Sequence, residues 1–459
     1  MVIAAGCAGS VAAGAPSSAS ADWTRFGYDA SRSSDDPNPT GITADNVATL
    51  VRQQVPLPGT VDSSPIYLKG VTVDGSTHDT LFVTTSYGIT LAIDARTGAI
   101  LWQYTPASYA RLAGTAYITT AAPVADPSRA WIYAASPDGK IEKLSVADGH
   151  AAWRVSITRL PSREKIASAL NVAHGDVIAT TSSFFDAAPY QGHVAMISAR
   201  GRLIHVWNAL CSDTTKLLVP SSCPASDAGI WGRAGAVVMP GSGNVLVATG
   251  NAPWNGSTNW GDSVVELSPA AKLVGNYTPS NTAKLYEKDL DLGSASPAVL
   301  TAHLIAQGGK DRLIRILSLR RMRGTAPHTG HEVQTVWTPH KNQLFTAPAV
   351  WHAKRVWLIV ADHGGTEAWV LHRNRLHAVW QNSTPGTSPV IAGGLLYVYD
   401  LWGGAVNVYR PATGQLVATL AAGTGHWSSP IATDGFVALP EGNANLHLTA
   451  GVLDIWRLP

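Results

Sequence analysis

The sequence predicts an all-β fold, an eight-bladed β-propeller of four-stranded blades. Three observations predict it. One phrase recurs through the 459 residues: a small-residue start, often with Pro, an apolar strand, a Gly turn, a second strand, an Asp-containing turn, Gly and then Trp. The strands are short, rich in Val, Ile, Thr and aromatics, and bounded by Gly, Asp and Asn, with no long stretch of helical period. Charged residues are only 14%, against roughly 25% in an ordinary soluble domain. Sheet faces covered by neighbouring sheet faces account for that deficit.

The elements follow in chain order. Residues 1–21 read as a leader: small and apolar, ending Ala19-Ser20-Ala21, an Ala-x-Ala cleavage pattern, although no basic n-region precedes it. Cys7 after Ala4-Ala5-Gly6 loosely resembles a lipoprotein site. A lone strand follows at Val47 to Val55. The cleanest repeat opens at Ser63-Ser64-Pro65, passes Leu81-Phe82-Val83 and Ile89 to Asp94, and ends Gly98-Ala99-Ile100-Leu101-Trp102. The second runs from Ala121-Ala122-Pro123 through Asp138-Gly139-Lys140 to Trp153. Weaker copies open at Ser168-Ala169, Gly235-Ala236, Ser294-Ala295-Ser296-Pro297, Thr346-Ala347-Pro348, Thr387-Ser388-Pro389 and Ser428-Ser429-Pro430. The last ends Val452-Leu453-Asp454-Ile455-Trp456 and lacks an outer strand. The N-terminal strand is expected to complete it, closing the ring and removing exposed sheet edges. Length alone would suggest about three domains; the repeats make residues 22–459 one.

Two side-chain expectations follow. Gly98 and Gly414 sit where a hairpin turn requires a positive φ. The terminal Trp of each unit can pack between blades while its N–H finds a backbone carbonyl, and Trp102, Trp153, Trp207, Trp337 and Trp380 occupy that place.

The segment Ala92-Ile93-Asp94-Ala95-Arg96-Thr97-Gly98-Ala99-Ile100-Leu101-Trp102 resembles the tryptophan-docking repeat of quinoprotein propellers. That family includes alcohol dehydrogenases using pyrroloquinoline quinone (PQQ), polyvinyl-alcohol dehydrogenases, and non-catalytic relatives such as the outer-membrane assembly lipoprotein. The resemblance covers nearly all of 45–459 and implies the fold more strongly than an activity. It also implies site residues. Thr249-Gly250-Asn251-Ala252-Pro253-Trp254-Asn255 is similar to the dehydrogenases' calcium-binding segment, which makes Asn251 a ligand. The alternative is a plain turn before Pro253. Asp289-Leu290-Asp291-Leu292-Gly293-Ser294 falls where the family places its catalytic Asp, with Asp291 the better match and Asp289 the alternative. Gln307-Gly308-Gly309-Lys310-Asp311 resembles the segment whose cation contacts the quinone oxygens, through Lys310. Trp231 would stack under the quinone, Arg233 would meet its carboxylates, and Asp186 would be a further metal ligand, each in a register that departs slightly from the family's. Loop charges and blade packing are the competing explanations for all of these.

The departures are specific. The dehydrogenases' adjacent-Cys disulfide is missing, and Ile118-Thr119-Thr120-Ala121 occupies that region. No Cys-x-x-Cys-His is present to attach haem, so electrons would leave to a separate acceptor. Cys211 and Cys223 enclose a short loop and are expected to form a disulfide in an exported chain. Net charge is +2, which argues against nucleic acid as a partner. Hydrolase and nucleotide-binding motifs are absent; His328-Thr329-Gly330-His331-Glu332 has the wrong spacing for a zinc protease.

The sequence therefore points to an exported protein, periplasmic or extracellular. Its expected activity is PQQ-dependent, calcium-assisted oxidation of alcohols, polymeric ones included. The alternative is a non-catalytic scaffold that binds a protein partner through rim loops.

Overall fold

The structure is a computed structural model and describes residues 21–459. The leader and Cys7 lie outside the described residues, apart from Ala21, whose carbonyl accepts from Thr433 Oγ1.

Eight four-stranded antiparallel blades follow one another around a ring. They span 66–104, 124–156, 171–208, 237–277, 298–337, 349–382, 390–421 and 431–457. The outer strand of the last blade is Val51–Leu57, paired antiparallel with Gly451–Arg457. Arg52 fastens that seam, with Nε 2.8 Å from Asp454 and Nη2 2.6 Å from Glu441.

Within each blade the first strand is innermost. Ala298–Thr301, Ala349–His352, Val390–Ala392 and Ile431–Thr433 each touch the next. This explains the small residues that open every repeat. Ala122, Ala169, Ala234 and Ala347, from four blade entrances, close around the ring of Phe26. A larger side chain at any of them would collide near the axis.

Phe26 belongs to a segment that the repeat pattern did not reveal. Residues 22–36 thread across one end of the ring and tie inner strands together. Ala125 N–H donates to Thr24 O, Val238 N–H to Ala30 O, Val350 N–H to Ser33 O and Ile391 N–H to Ser34 O. Asp35–Asp36 adds a parallel strand to the seventh blade. The buried Arg32 guanidinium donates to Phe26 O and Leu170 O.

Tryptophan docking is seen directly. Trp102 lies against Gly149 and donates to Val146 O at 2.9 Å. Trp153 lies against Gly201 and donates to Ala199 O at 3.0 Å. Trp380 lies against Gly414 and donates to Pro411 O at 2.8 Å. Each glycine has positive φ and room only for hydrogen, so turn conformation and docking select the same residue. Trp207 is buried between the third and fourth blades, but its N–H finds no partner. Trp337 departs from the expectation: it is 51% exposed and carries Lys341 Nζ 5.0 Å from its ring centroid. The corresponding turn of the next blade, Arg373-Asn374, has no glycine, and Gln334 from Trp337's own strand binds Leu376 N and O across the seam.

Candidate functional site

In this topology, the turn between second and third strands and the connection to the next blade emerge at the same end of the ring. That end is opposite the 22–36 segment and surrounds a cavity of about 460 Å³ on the axis. Thr120, Ala167 and Arg233 line it; Ala122, Ala169 and Ala234, one or two residues later, already pack on Phe26. A single layer of backbone therefore separates cavity from plug.

Five residues singled out by sequence converge here: Asp186, Trp231, Arg233, Asp291 and Lys310. They come from the third, fourth and fifth blades and their connections. Asp291 is buried in the turn before Ala298–Thr301, and its Oδ1 accepts the main-chain N–H of Asn251 at 2.6 Å. Its other oxygen forms an ion pair with Lys310 Nζ. Lys310 N–H returns to Asp291 O at 2.9 Å, so the two segments are zipped through both main chain and side chains. Burial raises the Asp291 pKa above the usual carboxylate range against the opposing pull of Lys310 and the Asn251 N–H. Burial works to lower Lys310, but Asp291 and Asp289 outweigh it and its pKa rises.

Asn251 thus meets the site through its backbone. Asp289 is exposed, with Lys310 Nζ 3.1 Å away, which leaves Asp291 as the buried acid of the pair. Trp231 is held edge-on by two glycines: a Cβ on Gly229 or Gly250 would come within 2.7 or 3.0 Å of its indole nitrogen. Tyr190 packs against it edge-to-face at 6.3 Å and donates its hydroxyl to Asp186. Arg233 is buried and donates to Asp62 O at 2.6 Å, while its Nε–H has no partner. Ile118 and Thr120 line the cavity where the dehydrogenases' vicinal disulfide was sought.

Several cavity residues escaped sequence reasoning. Lys165, on the connection between second and third blades, lines the cavity. Asp262 lies wholly buried behind Asp291, accepting Leu292 N–H at 2.9 Å. Burial, with Asp291 and Asp311 nearby, pushes its carboxyl up to about 8. Asp62 accepts His426 Nδ1 at 2.8 Å and Trp427 N–H at 2.7 Å. Phe345 and Trp427, 5.6 Å apart, form an aromatic wall. None belongs to a repeat motif; the only signal available was an isolated polar residue near a blade entrance.

Cys211 and Cys223 form a disulfide, with Cα atoms 6.0 Å apart. Cys223 packs in the same apolar cluster as Ala228 and Ile230, just before Trp231.

Solved structures share the fold. Quinohemoprotein alcohol dehydrogenase from Comamonas testosteroni superposes with a TM-score of 0.72 at 16% identity, covering 95% of this chain and 80% of that one. The fold is that of the quinoprotein propellers. A europium-containing methanol dehydrogenase gives 0.69 at 14% identity, over 95% of this chain and 98% of that one. BamB from Moraxella catarrhalis gives 0.51 at 15% identity, over 89% and 98%. Residues 40–221, less than half of the chain, match the family model described as outer membrane protein assembly factor BamB. No curated protein matches by sequence.

Proposed function

We propose that the protein is an exported dehydrogenase that oxidises alcohols with PQQ and passes the electrons to a separate acceptor. The observation that carries this reading is the convergence of Trp231, Arg233, Asp291 and Lys310 on one axial cavity. Those side chains fit a flat tri-anionic quinone. Trp231 offers an indole fixed by two glycines, and Lys165, Arg233 and Lys310 bring three cations to one space. When bound, the quinone would supply the two-electron oxidant that the side chains lack.

Asp291 is the base in this reading. It takes the substrate hydroxyl proton on a carboxylate oxygen as the C–H bond breaks. Burial makes it a better proton acceptor than an exposed Asp, and the Asn251 N–H fixes its orientation. Lys310 balances its charge and would place a cation against the oxygens of a bound quinone. Asp262, neutral below about pH 8, supports the Leu292 backbone without adding a second negative charge. The aromatic walls limit water around the reacting carbon.

Calcium fits less well. Both Asp291 oxygens are engaged, Asp186 accepts from Tyr190, and Asn251 contributes main chain to Asp291. Among the described residues no cluster of three or more His, Cys, Asp or Glu is gathered for a metal. No step here is routed through one.

The leader-like residues and the Cys211–Cys223 disulfide support export. The BamB-type match over 40–221 favours a second reading, a scaffold that engages a protein partner by its rim loops. The test is direct. Purified protein is titrated with PQQ, with and without calcium, while Trp fluorescence, quinone absorbance and dye reduction on an alcohol panel are followed. The enzyme reading expects saturable binding at micromolar quinone and alcohol-dependent dye reduction; absence of binding refutes it.

A further inference from the structure

One cavity cation has a chemistry beyond charge that the mechanism does not use. Glu164 and Lys165 form a two-residue strand paired with Ser182–Ser183. Alternation sends their side chains opposite ways. Glu164 turns into the third blade, where Oε1 meets His193 Nε2 at 3.0 Å and the Gln191 N–H at 3.1 Å. His193 Nδ1 is in turn 2.8 Å from Asn208 Oδ1, and the Asn208 amide donates to Thr214 O and Lys216 O. This buried chain anchors the strand. Lys165 faces the other way, into the cavity beside Arg233.

Among the described residues the Lys165 side-chain nitrogen has no hydrogen-bond or ion-pair partner, whereas Lys310 across the cavity is paired with two aspartates. The acid that acts on it, Asp62, is already occupied by His426 and the Trp427 and Ala444 N–H groups. Burial is the main cause that pushes the Lys165 ammonium down to about 8; Arg233 lowers it further and Asp62 opposes. About a tenth is therefore free amine at pH 7 and about a quarter at pH 7.5, the rest staying cationic. Arg233 lines the same cavity, and its buried Nε–H has no partner among the described residues.

We propose that Lys165 is a nucleophilic site that captures small aldehydes or 2-oxo acids carrying a carboxylate, with Arg233 holding the carboxylate. The step is a condensation. The Nζ lone pair forms a C–N bond to the carbonyl carbon, and the carbonyl π electrons move to oxygen, which takes a proton. Loss of that hydroxyl as water, with loss of the nitrogen proton, leaves the imine. Nothing is oxidised or reduced. The inference goes beyond the quinone reading and does not depend on it.

The experiment uses the full chain without quinone. Protein is incubated at pH 7.5 with glyoxylate and cyanoborohydride, which traps the imine as N-carboxymethyl-lysine, and sites are mapped by peptide mass spectrometry over time. Exposed Lys216, Lys272 and Lys284 serve as internal references. At this pH a pKa of about 8 leaves roughly a quarter of Lys165 as free amine, about two hundredfold more than for a lysine in a model peptide. Lys165 is expected to label at least about tenfold faster than the references, and faster with glyoxylate than with propanal. Lys165→Arg keeps the charge and removes the nucleophile, so cavity labelling vanishes while the references are unchanged. Labelling at Lys165 no faster than at the references overturns the proposal. Equal rates with glyoxylate and propanal overturn the carboxylate role of Arg233. Because no quinone is present, failure here leaves the dehydrogenase reading untouched, and the reverse also holds.

Discussion

Asp262→Asn tests the electrostatics of the site through stability. Asp262 is fully buried; one oxygen accepts Leu292 N–H, and the other has no partner. Its carboxyl is pushed up to about 8, chiefly by burial, against about 3.9 in the unfolded chain. Between these values the folded state keeps a proton that the unfolded state releases. Stability contributed by this group is therefore present below about pH 4 and is lost as pH rises to about 8. The full shift of roughly four units corresponds to about 5 kcal/mol. Between pH 5 and pH 8 the wild type should lose about 4 kcal/mol through Asp262 alone. Asn keeps the Leu292 contact and cannot ionise; its unpartnered amide costs about 1–3 kcal/mol at every pH. The assay is urea unfolding of both proteins at pH 5, 7 and 8. The variant should lie within about 1.5 kcal/mol of wild type at pH 5 and be more stable by about 2–4 kcal/mol at pH 8. A difference that stays constant within about 1 kcal/mol across this range would refute the claim that Asp262 is held neutral.

Gly414→Ala places a methyl 2.6 Å from the Trp380 indole at a φ of +69° and should cost about 2–3 kcal/mol in chemical denaturation. Gly241→Ala, with a φ of +80° and open space, should cost only about 1 kcal/mol. Trp102→Ala should cost about 3–5 kcal/mol, whereas exposed Trp337→Ala should cost under about 1 kcal/mol by thermal unfolding. Cys211→Ser with Cys223→Ser should lower stability by roughly 3 kcal/mol, and reductant should then have no further effect. Gly250→Ala sets a Cβ 2.6 Å from Asp291 Oδ1 and 3.0 Å from Trp231. It should weaken PQQ binding at least about tenfold in a fluorescence titration, with the ring fold intact by circular dichroism.

The ring was legible because its constraints repeat. A docking Trp needs a bare turn glycine on the next blade, so Trp102 and Gly149, or Trp380 and Gly414, mark a contact in the sequence. Trp337 had the Trp but not the glycine partner, and the structure leaves it half exposed. Phe26 plugs the axis from a segment that occurs once, and periodicity is blind to a single copy. The same distinction holds at the site. Asp291, Lys310 and Trp231 sit in motifs with recognisable neighbours, and all three line one cavity. Lys165 and Asp262 acquire their character only from burial, which depends on loops far apart in the chain.

The charges of the cavity argue for an anionic occupant. Asp291 and Lys310 neutralise each other, and the Asp186 carboxylate is engaged by Tyr190. Among the described residues Lys165 and Arg233 have no ion-pair partner, and the Asp62 carboxylate near them is capped by His426 and two N–H groups. In a chain with 14% charged residues, gathering two such cations at the ring axis costs desolvation free energy that folding alone does not return. A propeller used only as a scaffold could place apolar side chains at these positions and be more stable. An anion held between Lys165, Arg233 and the Trp231 face would offset that cost on binding. The quinone and the carboxylated carbonyl compounds both meet this requirement, and their competition for the cavity would show that they share it.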